Sequence, residues 1–280
     1  MRTFVSALAV LIGLFMAAVA VPAMWVDRNI VQEDGFVALT GPLGQDPAFQ
    51  QRLASTAVGS LGSDRMPAAV TDLVRPILDR AATSLSSLPG YPQAWTETLR
   101  KSHRLSFADP STLPPGADGV SALTLDVAPL VGLVAKQVAD ATSLPLRGPD
   151  QVLINIGQAN HRQLVEQVSA LAPMGYAVGV GALVAFALAF VAARRRWTVL
   201  VGIGAGALVL AGGWKLATDA AGGVVARTRS GNQVAELFKR EFVAAASASY
   251  GQWVLAAAVV GALLLVLGLV LRTVGGRRRA

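Results

Sequence analysis

Residues 173–214 read PMGYAVGVGALVAFALAFVAARRRWTVLVGIGAGALVLAGGW. Two apolar runs face each other across Arg194, Arg195 and Arg196, with no acidic residue anywhere in the stretch. An arginine at the centre of a bilayer costs about 2.5–3.5 kcal/mol, so three in a row mark a membrane boundary, and the positive-inside rule makes that boundary cytoplasmic. The stretch therefore predicts a hairpin: transmembrane helix 2 over 173–193, a cytoplasmic turn over 194–196 and transmembrane helix 3 over 197–214.

Outward from this hairpin lie two more blocks. Between Arg2 and Asp27 no residue is charged, and at 1.5 Å per residue a helix of that length exceeds the roughly 30 Å hydrocarbon core. It predicts transmembrane helix 1 over 1–26. A cleaved signal peptide is the rival reading, with Ala18-Val19-Ala20 as the small-residue site, but the apolar run is longer than the usual signal core of about 7–15 residues. The last block predicts transmembrane helix 4 over 252–271, followed by a basic tail over 272–280 that holds Arg272 and Arg277, Arg278, Arg279. With four spans, Arg2, the triple arginine and the tail all fall on one side. Both termini are then cytoplasmic, and 27–172 becomes an extracytoplasmic domain, with a shorter extracytoplasmic helical segment over 215–251.

The composition agrees. Hydrophobic residues make up 53% of the 280 and charged ones only 15%, against about a quarter in soluble domains, and the mean hydropathy is +0.52. A net charge of +7 would ordinarily suggest nucleic acid as a partner. Eight basic residues (Arg2, the triple arginine, Arg272 and the terminal three), however, sit in the predicted cytoplasmic segments. Setting them aside leaves 16 of the 24 basic residues against 17 acidic ones. The basicity is a topology signal, and no nucleic-acid partner is expected. The absence of cysteine excludes disulfides, thiolate nucleophiles and cysteine-ligated metals. At about 145 residues, the domain is long enough to bury a core without such staples. No Asp, Glu, Lys, Arg or His lies within the four blocks, whereas ion pathways and proton relays need such groups. The glycines of Gly175-xxx-Gly179 and Gly202-xxx-Gly206, with Gly181 and Gly204, would let helices approach closely.

The expected fold is a mainly α membrane protein: four transmembrane helices plus a mostly helical extracytoplasmic domain with a small β component. In the domain, Asp46-Pro47 reads as an N-cap followed by proline at the first helical position, opening a helix over 47–61. A second helical stretch over 67–88 is interrupted by Pro76, and a third begins at Pro92 and carries Trp95, Leu99 and Leu105. A proline-rich loop, Pro110 to Pro115, follows. Val120, Leu123, Leu125 and Val127 then alternate as in a short strand. Pro129 starts another helix, Val152–Ile156 suits a second strand, and a helix from Asn160 to Leu171 is expected to run on into the second span. Beside Val234, Leu237, Phe238 and Val243, the charges of Glu236, Lys239, Arg240 and Glu241 balance, which favours an amphipathic helix packed on protein over one lying on lipid.

At Trp25, Asp34-Gly35-Phe36-Val37, Pro42-Leu43 and Asp46-Pro47, and again at Trp95 with His103, Asp118-Gly119 and Leu123-Thr124-Leu125-Asp126, the sequence resembles a large group of uncharacterised actinobacterial integral membrane proteins. Gly35-Phe36 stands where an aromatic pair or a charged residue is commoner in that group. The resemblance implies a cytoplasmic-membrane address in a high-GC Gram-positive bacterium. It implies no activity and supplies no catalytic residue.

Chemical motifs are sparse. His103 and His161 are the only histidines, and a zinc site would need them completed by carboxylates such as Asp109 or Glu166 without HExxH spacing; both read more simply as packing or helix-start residues. No serine stands in a nucleophile-elbow pattern, and the glycines at 202, 204 and 206 lack a following Lys-Ser or Lys-Thr. Asp126, just ahead of Pro129, reads as a helix cap or else a binding residue. Asp126, Trp95 and His103 are thus the weak binding candidates, with no catalytic residue, metal or cofactor expected. Three functions remain: an envelope protein whose domain binds a partner protein, lipid or wall component; a membrane-bound enzyme of envelope lipid or glycan metabolism; and a transporter subunit. The bilayer is the expected partner in all three.

Overall fold

A computed structural model of the chain describes residues 2–51, 88–107, 124–142, 147–155, 162–227 and 233–277. Along it run α1 (Arg2–Val26), α2 (Glu33–Thr40), α3 (Tyr91–Phe107), β1 (Thr124–Asp126), α4 (Ala128–Thr142), β2 (Leu153–Asn155), α5 (Arg162–Leu171), α6 (Met174–Ala192), α7 (Arg196–Arg227) and α8 (Gln233–Arg277). The chain divides into two compact units. One comprises Met1–Ile30, Ser169–Arg227 and Ala246–Ala280; the other comprises Val31–Val168 and Thr228–Ala245. The expected helix over 67–88, the loop from Pro110 to Pro115 and His161 lie outside the described residues, apart from Leu88.

The first unit is a helical bundle. Among the described residues four helical stretches are long and apolar enough to cross a membrane: Arg2–Val31, Val165–Ala192, Arg196–Val225 and Ala235–Val274. The last two outrun the expected spans. α7 continues past Trp214 to Arg227, and its extension carries an exposed Lys215–Asp219 ion pair at 2.5 Å. α8 is already under way at Gln233. The expected separate helix within 215–251 is therefore divided between the ends of two long helices. The physical reason is that no proline follows Pro173, so neither helix is interrupted where its apolar part ends, and the break falls instead beyond Arg227, at Ser230-Gly231-Asn232 in the sequence. The helix expected to run into the second span does so as the single stretch Val165–Ala192; Pro173, itself helical in backbone, only interrupts the bonding between α5 and α6, where the Gly175 N–H donates to the Ala172 carbonyl at 3.0 Å.

The bundle packs through small residues. Ala20, Ala182, Ala185 and Ala189 are buried, and at Gly204 backbone comes closest to backbone. A Cβ there would lie 2.5 Å from the Leu265 nitrogen and 2.6 Å from the Gly261 carbonyl oxygen, so backbone meets backbone. Gly175 similarly faces the Met24 nitrogen at 2.9 Å. Close approach of this kind holds apolar helices together where hydrophobic burial gains little. Hydrogen bonds add to them. The Ser6 hydroxyl donates to the Ala189 carbonyl at 2.9 Å. Pro22 within α1 has no N–H to give to Ala18 four residues back. The freed Ala18 carbonyl accepts instead from the Trp214 indole at 3.1 Å.

Each end of the bundle has its own character. Where α1 ends and α8 enters the unit, Trp25, Trp214, Trp253 and Tyr250 gather. Trp25 meets Tyr250 edge to face at 5.4 Å and donates to the Ser249 hydroxyl at 3.2 Å. At the opposite end the Arg272 guanidinium lies 5.1 Å over Trp197 and that of Arg196 lies 5.4 Å over Phe190.

The second unit has an ordinary water-facing plan. Asp46 caps as expected, its Oδ1 accepting from the N–H groups of Ala48 and Phe49 at 2.7 and 3.0 Å, and residues 47–51 are helical. α3 carries Trp95, Leu99 and Leu105 on its buried side. β1 and β2 pair antiparallel, with Leu125 opposite Ile154, and α4 lies between them in sequence with Pro129 in its first turn. Phe49, Leu99, Leu125 and Val127 are fully buried and join Trp95, Leu130, Ile154 and Phe238 in one core.

Candidate functional site

The three candidate binding residues all belong to this second unit, and all three are buried. Asp126 ends β1. Its Oδ1 accepts from the Ala128 N–H at 3.0 Å, which caps α4, and from the Val152 N–H at 3.1 Å, which ties in the chain just ahead of β2. The Val127 N–H donates to the Val152 carbonyl at 2.9 Å beside it. The carboxylate is thus the acceptor for two backbone donors that burial would otherwise leave unpaired.

The other edge of β1 is met by hydroxyls of α3. The Asp126 N–H donates to Ser102 Oγ at 2.9 Å and the Thr124 N–H to Ser106 Oγ at 3.4 Å. Each hydroxyl in turn donates to the carbonyl one helical turn back, Ser102 to Thr98 at 2.5 Å and Ser106 to Ser102 at 2.8 Å. One helix edge so closes a strand edge that β2 does not cover. Sequence reading passes over Ser102 and Ser106; their spacing of four on a face shared with Trp95 and Leu99 is the signal that was there to find.

Trp95 holds a different element. Its indole donates to the Gly41 carbonyl at 3.1 Å, and its ring meets Phe49 edge to face at 5.4 Å. The Gly44 carbonyl accepts both the Gln50 side-chain amide and the Tyr91 hydroxyl, the latter at 2.7 Å. Burial pushes the Tyr91 phenol up to about 12 from 10.0, against the lowering influence of Gln50. Trp95 and Tyr91, one turn apart on α3, clamp the 3-10 segment Gly41–Gln45. Gly44 has no Cβ to fit between itself and the Trp95 ring.

His103 stacks on Phe107 with ring centroids 4.4 Å apart and lies 5.2 Å from Phe36. On the neighbouring surface Arg104 grips Glu33 with two hydrogen bonds, 2.8 and 3.2 Å, while Arg100 Nε stands 3.6 Å from the same carboxylate. The Arg104 hydrogen bonds, helped by the charges of Arg104, His103 and Arg100 and opposed by burial, hold Glu33 below its ordinary range. This pairing pins α2 to α3. Ser102 links Asp126 to the helix that carries Trp95 and His103, yet each of the three side chains is committed to a separate structural contact. Among the described residues no group of three or more His, Asp or Glu is arranged to hold a metal ion.

The topology arginines frame a feature of the bundle. A crevice of about 710 Å³ runs between the first turns of α1 and of α7, with Val10, Leu11, Leu14 and Val199 in its walls and Arg194 and Arg195 beside it. Thr3, Ser6 and Thr198 contribute hydroxyls to its rim. The Thr198 hydroxyl donates to the Arg195 carbonyl at 2.6 Å, an exposed bond across the start of α7. Arg196 lies over Phe190. Arg277 is the last residue of α8, and Arg278 and Arg279 lie outside the described residues.

No protein family matches the chain, and no curated protein or solved structure is significantly similar to it.

Proposed function

We propose that the chain is a multi-pass protein of the cytoplasmic membrane, with both termini cytoplasmic and a non-enzymatic extracytoplasmic domain that binds a partner protein, lipid or wall component of the envelope. The observation that carries the membrane half is the inverted surface of the first unit. Small residues are buried while Phe4, Phe15, Leu183 and Val191 are exposed, a surface that only an apolar solvent covers without cost. Arginines gather at one end of that surface, with Trp197 among them, and Trp25, Trp214 and Trp253 at the other, as at two membrane interfaces. The positive-inside rule supports the arginine end as the cytoplasmic one, and the resemblance to actinobacterial membrane proteins supports the same address. The commitment of Asp126, His103 and Trp95 to packing and backbone bonds supports the non-enzymatic half.

The lack of cysteine makes the topology directly measurable. Gln93→Cys and Lys136→Cys, both at exposed positions, are expected to react with a membrane-impermeant maleimide in intact cells, and Ala280→Cys only after permeabilisation. The reverse pattern overturns the topology. For the domain, photo-crosslinkers at the same exposed positions are expected to yield one reproducible adduct in living cells. Asp126→Asn is expected to complement a deletion strain fully. Loss of complementation by a stably folded Asp126→Asn protein would overturn the non-enzymatic reading.

A further inference from the structure

We infer that the crevice between α1 and α7 is a binding site for an anionic phospholipid, with an acyl chain between the helices and the phosphate against Arg194 and Arg195. The inference rests on the membrane reading above and adds a ligand to the arginine turn, which that reading treats only as a topology signal.

Three features of the site match the two halves of such a molecule. The walls are aliphatic: Val10, Leu11 and Leu14 from α1 and Val199 from α7 line a space of about 710 Å³, which suits a chain and repels a small hydrophilic anion. The mouth is cationic and uncompensated. Arg194 and Arg195 are exposed, and among the described residues neither guanidinium forms an ion pair with a carboxylate. Neither α1 nor the stretch from Pro173 to Trp214 contains an acid. By contrast Arg196 and Arg272 of the same end are laid over aromatic rings, whereas the two arginines beside the crevice, like Arg2 at the start of α1, keep their charge for an outside partner. Finally α1 and α7 both begin here, and their two N-terminal ends outweigh the opposing C-terminal end of α6 at Ala193, which leaves a positive balance of helix ends where the phosphate would sit. A basic mouth over an apolar cleft between membrane helices is complementary to a lipid carrying a net negative charge, and a zwitterionic lipid of equal chain length gains only half of that match.

The full chain, purified in a mild non-ionic detergent, can be titrated with phosphatidylglycerol or with phosphatidylcholine of the same acyl chains, and the bound forms counted by native mass spectrometry. Phosphatidylglycerol is expected to bind the more tightly, and millimolar inorganic phosphate is expected not to displace it. Arg194→Gln with Arg195→Gln is expected to weaken phosphatidylglycerol about thirtyfold, from roughly fivefold for each guanidinium near a membrane surface, and to leave phosphatidylcholine unchanged. Arg194→Lys with Arg195→Lys is expected to keep most of the preference. Ala7→Phe, which fills the crevice and leaves every charge in place, is expected to weaken both lipids. Equal binding of the two lipids by the unaltered protein overturns the inference, as does an unchanged preference in the double glutamine variant. Complete displacement by inorganic phosphate overturns it too, since the site would then be one for a free anion. Because these titrations are made in detergent, they fail or succeed independently of the cysteine labelling that tests which side the arginines occupy.

Discussion

The two units solve the burial problem in opposite ways. In the bundle Phe15 is 75% and Val191 82% exposed, while Ala20 and Ala189 are buried; in the second unit Phe49 and Leu99 are fully buried and Glu33, Asp34 and Arg104 lie at or near the surface. On the membrane reading the difference is one of solvent. Where the surroundings are as apolar as leucine, burying a large side chain gains little, and helices hold together by close backbone approach and by hydrogen bonds. Where the surroundings are water, the largest aromatic residues go inside.

The sharpest way to break this comparison is to remove one large residue from each unit. Trp95→Ala deletes a buried ring together with its hydrogen bond to Gly41, and it is expected to destabilise the second unit by about 3–5 kcal/mol. Phe15→Ala removes a ring of similar bulk from the outer face of α1 and is expected to cost no more than about 0.5 kcal/mol. Thermal unfolding of both variants in the same detergent checks the pair. Comparable losses would mean that the outer face of α1 is covered by protein and would remove the basis for calling it lipid-facing.

A smaller effect separates the two readings of Asp126. Asp126→Ala removes the acceptor of the buried Ala128 N–H and of the partly buried Val152 N–H at once, for an expected loss of about 2–4 kcal/mol. Asp126→Asn keeps an oxygen where Oδ1 stood and is expected to lose less than about 1 kcal/mol. Chemical denaturation followed by tryptophan fluorescence gives both values. If Asn proves as damaging as Ala, the negative charge itself matters and the capping account is incomplete.

Asp126 also shows how far the sequence could be read. Its role at the head of α4 is local, two residues from Ala128 with Pro129 behind it, and it is legible. Its bonds to Ser102 and Val152 span 24 and 26 residues and have no sequence signature, because the fold alone brings those positions together. The same division runs through the bundle. Arginines and apolar blocks announce the helices, since composition alone sets whether a segment tolerates lipid. The ends of α7 and α8 are announced only in part: Ser230-Gly231-Asn232 is a stop and cap sequence between them, but no proline near Trp214 or Gln252 stops either helix where its apolar part ends. The Trp214 bond to Ala18 escaped for a related reason. Pro22 predicts that a carbonyl is released, but the donor that comes to it lies 196 residues away.

That bond supplies the next test, on the side of the comparison where polar contacts replace hydrophobic burial. Trp214→Phe leaves the Ala18 carbonyl without its donor and is expected to cost about 1 kcal/mol. In a Pro22→Ala background residue 22 has its own N–H to offer Ala18, so the same substitution is expected to cost close to nothing. The coupling between the two sites would then be about 1 kcal/mol, as for residues in direct contact. Additive losses would show that Trp214 acts by packing alone, and the bundle would resemble the second unit more closely than its inverted surface suggests.

The smallest expected effect belongs to the Glu33–Arg104 ion pair on the surface of the second unit. Glu33 is held below its ordinary value of 4.5, chiefly by the hydrogen bonds from Arg104. The folded state therefore binds its proton less tightly than the unfolded state does. Its contribution is complete above pH 4.5 and is lost as pH falls through the depressed value, because the unfolded chain takes up the proton first and gains from doing so. Glu33 is partly exposed and Arg104 mostly so, so solvent screens the pair and only a shallow acid limb is expected. Midpoints of thermal unfolding measured between pH 5 and pH 3, with and without Glu33→Gln, isolate it: the unaltered protein should lose more stability over that interval than the variant. High salt should flatten the difference. Parallel acid limbs in the two proteins would show that the pairing of α2 with α3 rests on Phe36 and His103 packing and owes nothing to charge.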